Sequence, residues 1–184
     1  MSAIRRVVAG NDAGGNSVFL SDGVVPHSHE FKFMPGQAQT RVWFTAGPPT
    51  TTPPPEEPTC DTGPVVPGHG GASFVIVHYA PDSVVTEPDF DPERANAEFA
   101  TYAPDITAAM DPDEPGMHRT PSVDYGVVLD GEIWLELDDG AQARLTRGDT
   151  IVQLGGRHAW RNKTDRPATV AFVLTGALTQ GPSC

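Results

Sequence analysis

From residue 117 onward, apolar and polar positions alternate in short runs separated by turn residues. VDYGVVL, EIWLEL, AQARL, DTIVQL, HAWRN and ATVAFVL follow one another, broken by DG, DDG, RG, GGR and KTDRP. Strands at roughly 8–12-residue spacing with turn chemistry between them predict an antiparallel sandwich or barrel. Asp130-Gly131 is a two-residue hairpin signal. Within EIWLEL the period of two puts Ile133, Leu135 and Leu137 on one face and Glu132, Trp134 and Glu136 on the other. In HAWRN, His158, Trp160 and Asn162 share a face. In VDYGVVL, Asp124, Gly126 and Val128 do, with Tyr125 opposite.

The upstream half is less regular. Ile4 to Ala9, Ser17 to Leu20 and Thr40 to Thr45 read as short strands, and residues 72 to 79, ASFVIVHY, as a strong one bounded by glycines and Pro81-Asp82. Residues 48 to 71 are proline-rich and poor in apolar side chains, so they read as an extended, partly disordered loop. Asp91 as N-cap with Pro92 at the first helical position predicts a helix over 92–103, with a further turn over 105–110 before DPDEPG breaks it. These segments make one domain over 1–184: N-terminal strands to 47, the loop 48–71, a strand plus short helix over 72–115, and the strand-rich core over 116–176.

Composition narrows the function. Nineteen glycines and nineteen prolines favour short strands and loops over long helices. Twelve basic against twenty-four acidic residues give a net charge of −12, a field that repels nucleic acid and anionic membrane surfaces. No apolar run suits a signal peptide or a membrane span, so a soluble, cytoplasmic protein is expected. Cys60 and Cys184 read as two incidental thiols and not as a disulfide or zinc site.

The candidate chemistry lies in His118, Asp124 and His158, three possible metal ligands. Inward positions on neighbouring barrel strands converge, so side chains from two strands can meet at one point. Two imidazoles and one carboxylate form a facial triad with positions left open for substrate or water. Thr120 can hydrogen-bond a bound water, and Gly126 leaves room for a substrate. The same histidines also read as hydrogen-bonded pocket residues without a metal.

The spacing resembles the cupins, small jelly-roll β-barrels with two motifs. The first has His-x-His, a glutamate three or four residues on and a glycine seven further; here His118, Asp124 and Gly131 match it. The second begins with glycine and carries a histidine with an asparagine four residues later; Gly148, His158 and Asn162 match. Sixteen residues separate Gly131 from Gly148, typical of that family. Thr120 takes the second histidine position, aspartate replaces glutamate, and Gln153-Leu154-Gly155 replaces the usual Pro-x-Gly. The resemblance covers residues 116–174 and implies an all-β, cupin-type jelly-roll barrel, with an N-terminal β extension and one short helical insert.

It implies, as the leading function, a metal-dependent lyase that removes water or carbon dioxide from a small organic acid in specialised or catabolic metabolism. His118, Asp124 and His158 would hold zinc or ferrous iron, and Thr120, His118 and His158 would act on substrate. A non-haem iron dioxygenase and a metal-free small-molecule binder are the alternatives. A homodimer is the assembly the resemblance implies. His78, Trp134, Trp160 and Asn162 are candidate pocket residues, although His78 shares its face with Phe74 and Ile76 and so also suits a core. Arg157 and Arg161 flank the His158 strand, where either can meet an anionic substrate or serve as surface charge. PHSHEF, residues 26 to 31, imitates a metal motif but reads as a solvated, proline-bounded loop.

Overall fold

The computed structural model describes residues 3–178; the expectation for Cys184 lies outside them. Eleven strands are described: β1 (Arg5–Asn11), β2 (Ser17–Val24), β3 (Ser28–Glu30), β4 (Ala38–Thr45), β5 (Ala72–Tyr79), β6 (Ser122–Asp130), β7 (Glu132–Glu136), β8 (Gln142–Thr146), β9 (Thr150–Gln153), β10 (Ala159–Arg161) and β11 (Ala168–Gly176). Helices α1 (Pro92–Tyr102) and α2 (Pro104–Ala109) form an insert between β5 and β6. The expected further turn is thus a second short helix. Asp91 caps α1 as its sequence predicts, accepting from the Arg94 amide at 3.0 Å. Among the described residues no helix is long and apolar enough to cross a membrane.

The strands form a six-stranded sheet in the order β3-β4-β5-β11-β6-β9, a three-stranded sheet β10-β7-β8, and the hairpin β1-β2, with every named pairing antiparallel. The two larger sheets face each other, as a jelly roll requires. Their core joins Val128, Ile151, Val170, Phe172 and Leu174 of one to Ile133 of the other. A second cluster covers the outer face of the six-stranded sheet, with Val42, Ile76 and Ala171 packed by Ile4, Phe74 and Val127. This is why ASFVIVHY is apolar almost throughout: β5 is central and packed on both faces.

Asp130-Gly131 is not a hairpin. β6 pairs with β11 and β9, whereas β7 pairs with β8 and β10, so the dipeptide is a corner where the chain leaves one sheet for the other. Gly131 sits at φ 75°, and a Cβ there would lie 2.9 Å from Ala168 Cα and 3.0 Å from Pro167 O. The DG signal reports the positive φ correctly, but the close approach of β11 decides which sheet follows.

The proline-rich segment carries no strand or helix but is fastened to the barrel. Arg41, buried in β4, donates to Gly63 O at 2.8 Å, to Pro64 O at 3.0 Å and to Tyr102 O. Asp105 accepts from the Val65 and Val66 amides at 2.9 and 2.7 Å, and Val65 enters the core. Gly70 and Gly71 exchange backbone bonds with Gly176 at 3.1 and 3.0 Å. PHSHEF is likewise not a solvated loop. Ser28–Glu30 pairs with β4, His29 stacks on Tyr102 with ring centroids 3.4 Å apart and bonds Glu98 at 2.9 Å, and Phe31 is buried.

Gly131→Ala should therefore lose about 2 kcal/mol or more, the left-handed penalty of about 1–2 kcal/mol plus the contact with β11. Gly140→Ala, at φ 72° with nothing within 4 Å of an added Cβ, should lose only the first part. Urea unfolding of the two variants measures the difference.

Candidate functional site

His118 stands just before β6 and His158 just before β10. They form an isolated antiparallel bridge in which each backbone amide donates to the other's carbonyl, at 2.9 and 3.0 Å. Directly opposed residues of such a pair project to the same side, and the ring centroids are 4.4 Å apart. Each histidine follows a glycine by two residues and uses it: His118 Nδ1 lies 2.9 Å from Gly116 O, and His158 Nδ1 2.9 Å from Gly156 O. A carbonyl can only accept, so both rings carry their proton on Nδ1 and leave Nε2 as a lone pair.

Both rings are largely buried, which disfavours the cation. His158 is pushed down to about 4 by burial first and by the neighbouring His118 second. His118 is lowered by burial, opposed by its bond to Gly116 and by the charge of Asp124. Two neutral imidazoles with Nε2 lone pairs are the result near neutral pH.

Asp124 lies on β6 opposite Gln153 of β9 and is buried. Thr120 Oγ1 donates to its Oδ2 over a long 3.3 Å. Burial raises its pKa, opposed by Ser122, Thr120 and His118. Ser122 is thus near the carboxyl, yet neither Ser122 Oγ nor Asp124 Oδ1 makes a hydrogen bond of normal geometry. The donor chemistry of the two imidazoles fits a divalent ion. Asp124 does not stand with them: among the described residues no group of three or more His, Cys, Asp or Glu side chains is placed to hold a metal. Its carboxylate is turned to Thr120 instead.

These residues line one end of a cavity of about 810 Å³ between the two sheets and the helical insert. Of the expected pocket residues, Trp160 and Asn162 line it and His78 and Trp134 do not. Trp160 meets His158 edge-on at 6.0 Å. Asn162 serves structure, donating to Tyr79 O and Arg166 O at 2.9 and 2.8 Å and accepting from the Thr164 hydroxyl at 2.7 Å. The placement of His78 in the pocket is corrected: it points out with Ile76, and its Nδ1 lies 2.9 Å from the Thr169 hydroxyl. So is that of Trp134, which alternates with core-facing Ile133 and lies beneath Arg144 and Lys163 on the outside. The space left by Gly126 is taken by Phe172, 2.9 Å from where a Cβ would stand. Arg157 is held by Asp111, Glu114 and Asp138 at 2.9, 3.0 and 2.7 Å, and Arg161 by Glu136. Neither guanidinium is left for an anionic substrate. Among the lining residues that the motif spacing does not pick out as functional are Tyr79, Gln39 and Gln153. The strand parity of Tyr79 with Val77 and of Gln153 with Ile151 is the signal that points to two of them.

No family model matches the chain. A phomopsin biosynthesis cluster protein of Diaporthe leptostromiformis is 62% identical over 48 residues, 26% of this chain and 25% of that protein. The match thus spans a quarter of that relative's own length. A cupin-domain-containing oxidoreductase of Aspergillus ruber is 28% identical over 178 residues, 95% of this chain and 73% of the relative. Among solved structures, the cupin_2 domain of an XRE family transcriptional regulator from Enterobacter cloacae is 18% identical, over 56% of this chain and 80% of that one, with a TM-score of 0.35. The two facing antiparallel sheets and the motif histidines paired across a bridge make a cupin-type jelly-roll fold, and the chain is similar along nearly its whole length to a cupin-domain protein.

The histidine environment has a pH signature. A histidine held below its ordinary 6.5 when folded takes up its proton first in the unfolded chain, so its stabilisation is complete above about pH 6.5 and drains away as the pH falls toward about 4. Asp124, shifted upward, acts in the opposite sense and is common to wild type and variant. The Tm of wild type should fall between pH 6.5 and 4, and His158→Gln should flatten that fall in calorimetric scans.

Proposed function

We propose that the protein is a metal-dependent cupin enzyme, a lyase that removes water or carbon dioxide from an organic acid or its carbonyl derivative in specialised metabolism. The observation that carries this is the histidine pair: two neutral imidazoles, each tied by Nδ1 to its own chain and presenting an Nε2 lone pair at the polar end of the cavity. Relatives named as phomopsin and oryzines biosynthesis cluster proteins support the metabolic setting.

His118 and His158 would hold the ion, zinc or ferrous iron. When bound, such an ion supplies Lewis-acid polarisation of a substrate oxygen. The remaining work falls to the chain. Asp124, its pKa raised by burial, would carry the proton. In loss of water it takes the proton from the carbon next to the one bearing the hydroxyl and passes it to that hydroxyl as it leaves. In loss of carbon dioxide its protonated form returns the proton to the carbon that gave up the carboxylate. The Thr120 hydroxyl keeps the carboxyl oriented. Trp160 and the apolar walls would pack against the substrate beside the reacting end. A second reading, oxidation with ferrous iron at the same histidines, is favoured by the relatives named cupin-domain-containing oxidoreductases.

Elemental analysis of untagged protein purified without added metal tests both. Near-stoichiometric zinc or iron in wild type, lost in His118→Ala and His158→Ala, is the expected result. Asp124→Ala should retain most of the metal and lose activity. Oxygen uptake during turnover would move the second reading ahead. Wild type that takes up neither metal on reconstitution would overturn both and leave a binding barrel.

A further inference from the structure

Away from the histidines the cavity is walled mostly by hydrocarbon, with the side-chain amides of Gln39 and Gln153, whose nitrogens are buried without a hydrogen-bond partner, also in its lining. Val77, Phe172 and Leu174 supply the sheet side, and Phe99, Ile106 and Met110 of the insert region supply the side opposite. Among the described residues, two charged side chains besides Asp124 and the histidines reach it, Asp82 and Arg161, and both are engaged. Asp82 Oδ1 accepts from the Asn162 amide at 3.0 Å, while Arg161 bonds Glu136 and donates to Pro115 O at 2.8 Å. The apolar end is therefore not built to receive an anion.

Size points the same way. Cavities of roughly 300–1,000 Å³ suit drug-sized ligands, and this one measures about 810 Å³. A hydroxy or keto acid of three or four carbons would occupy a minor part of it and leave apolar wall unfilled. An apolar wall gains nothing from a polar substrate and rewards each buried methylene.

We infer that the substrate carries an uncharged hydrocarbon tail of several carbons, alkyl or aryl, which lies between the insert and the six-stranded sheet while its oxygenated end meets His118 and His158. This rests on the reading above for which end reacts and goes beyond it in naming the tail. Residues of the insert, not of the cupin motifs, then set which tails are accepted. Ala95 of α1, buried and lining the cavity, is a position where added bulk would intrude on it.

The test is a titration of the full chain, its metal content measured alongside, with 2-butanone, 2-hexanone, 2-octanone and 2-decanone by calorimetry. Affinity should rise about fourfold per added methylene, then level off once the tail fills the space. Ala95→Trp should bring the plateau to a shorter ketone and leave 2-butanone unaffected. Ile106→Ala, a milder change that keeps the helix, should weaken 2-octanone several-fold and 2-butanone hardly at all. Affinity independent of chain length would overturn the tail. The two proposals fail separately. A persistent chain-length slope in protein that takes up no metal removes the metalloenzyme and leaves the tail standing. Metal held by both histidines with a flat slope does the reverse.

Discussion

The reciprocal backbone bond between His118 and His158 is the contact on which the site depends. Neither residue lies within a long strand; each sits where an irregular loop gives way to one. The pair of amide-to-carbonyl bonds fixes these two strand starts against each other, and the rings follow. Gly116, at φ 84°, and Gly155, at φ 67°, let both chains turn sharply just upstream. The carbonyls of Gly116 and Gly156 then take the Nδ1 protons. Tautomer, orientation and separation are all set by main chain, so the imidazoles need no carboxylate behind them to present Nε2.

The same row extends to the insert. Met110 bridges to His118 on its other side, and the Asp111 amide donates to Met117 O at 2.7 Å. Arg157, the residue before His158, gathers Asp111 and Glu114 from the insert's end and Asp138 from the β7–β8 turn. Partly exposed ion pairs of this sort add little to stability one at a time, but a guanidinium shared by three carboxylates fixes where the insert returns to the barrel. The polar and apolar ends of the cavity are therefore joined by short, direct connections.

Much of this is legible in the sequence, because it rests on local periodicity. The strands after residue 117, the Asp91-Pro92 helix start and the shared inward face of Trp160 and His158 follow from spacing alone. The motif spacing places His118, Asp124 and His158 about one cavity. What escapes depends on contacts distant in sequence. Asp130-Gly131 reads as a hairpin until Ala168 of β11 is seen to crowd it. The proline-rich segment reads as loose because Arg41, Asp105 and Gly176, which hold it, lie outside it. His78 is ambiguous because β5 is apolar on both faces, and only the covering of its outer face by Ile4 and Val42 decides its direction. That Asp124 Oδ2 accepts from Thr120 is a matter of rotamer, which spacing does not encode.

The insert leaves the barrel after β5, rejoins it at the His118–His158 bridge ahead of β6, and contributes its own wall of the cavity, with neither histidine in α1 or α2. On the proposed function, the part of the chain that selects a molecule by size is thereby separable from the part that reacts with it. Substitutions at Phe99 or Ile106 can alter what fits while the bridge between the two glycine-anchored histidines is left as it is. A barrel built this way can be retargeted piecemeal: one excursion of about forty residues can drift toward a new molecule, and the strand register need not be renegotiated each time.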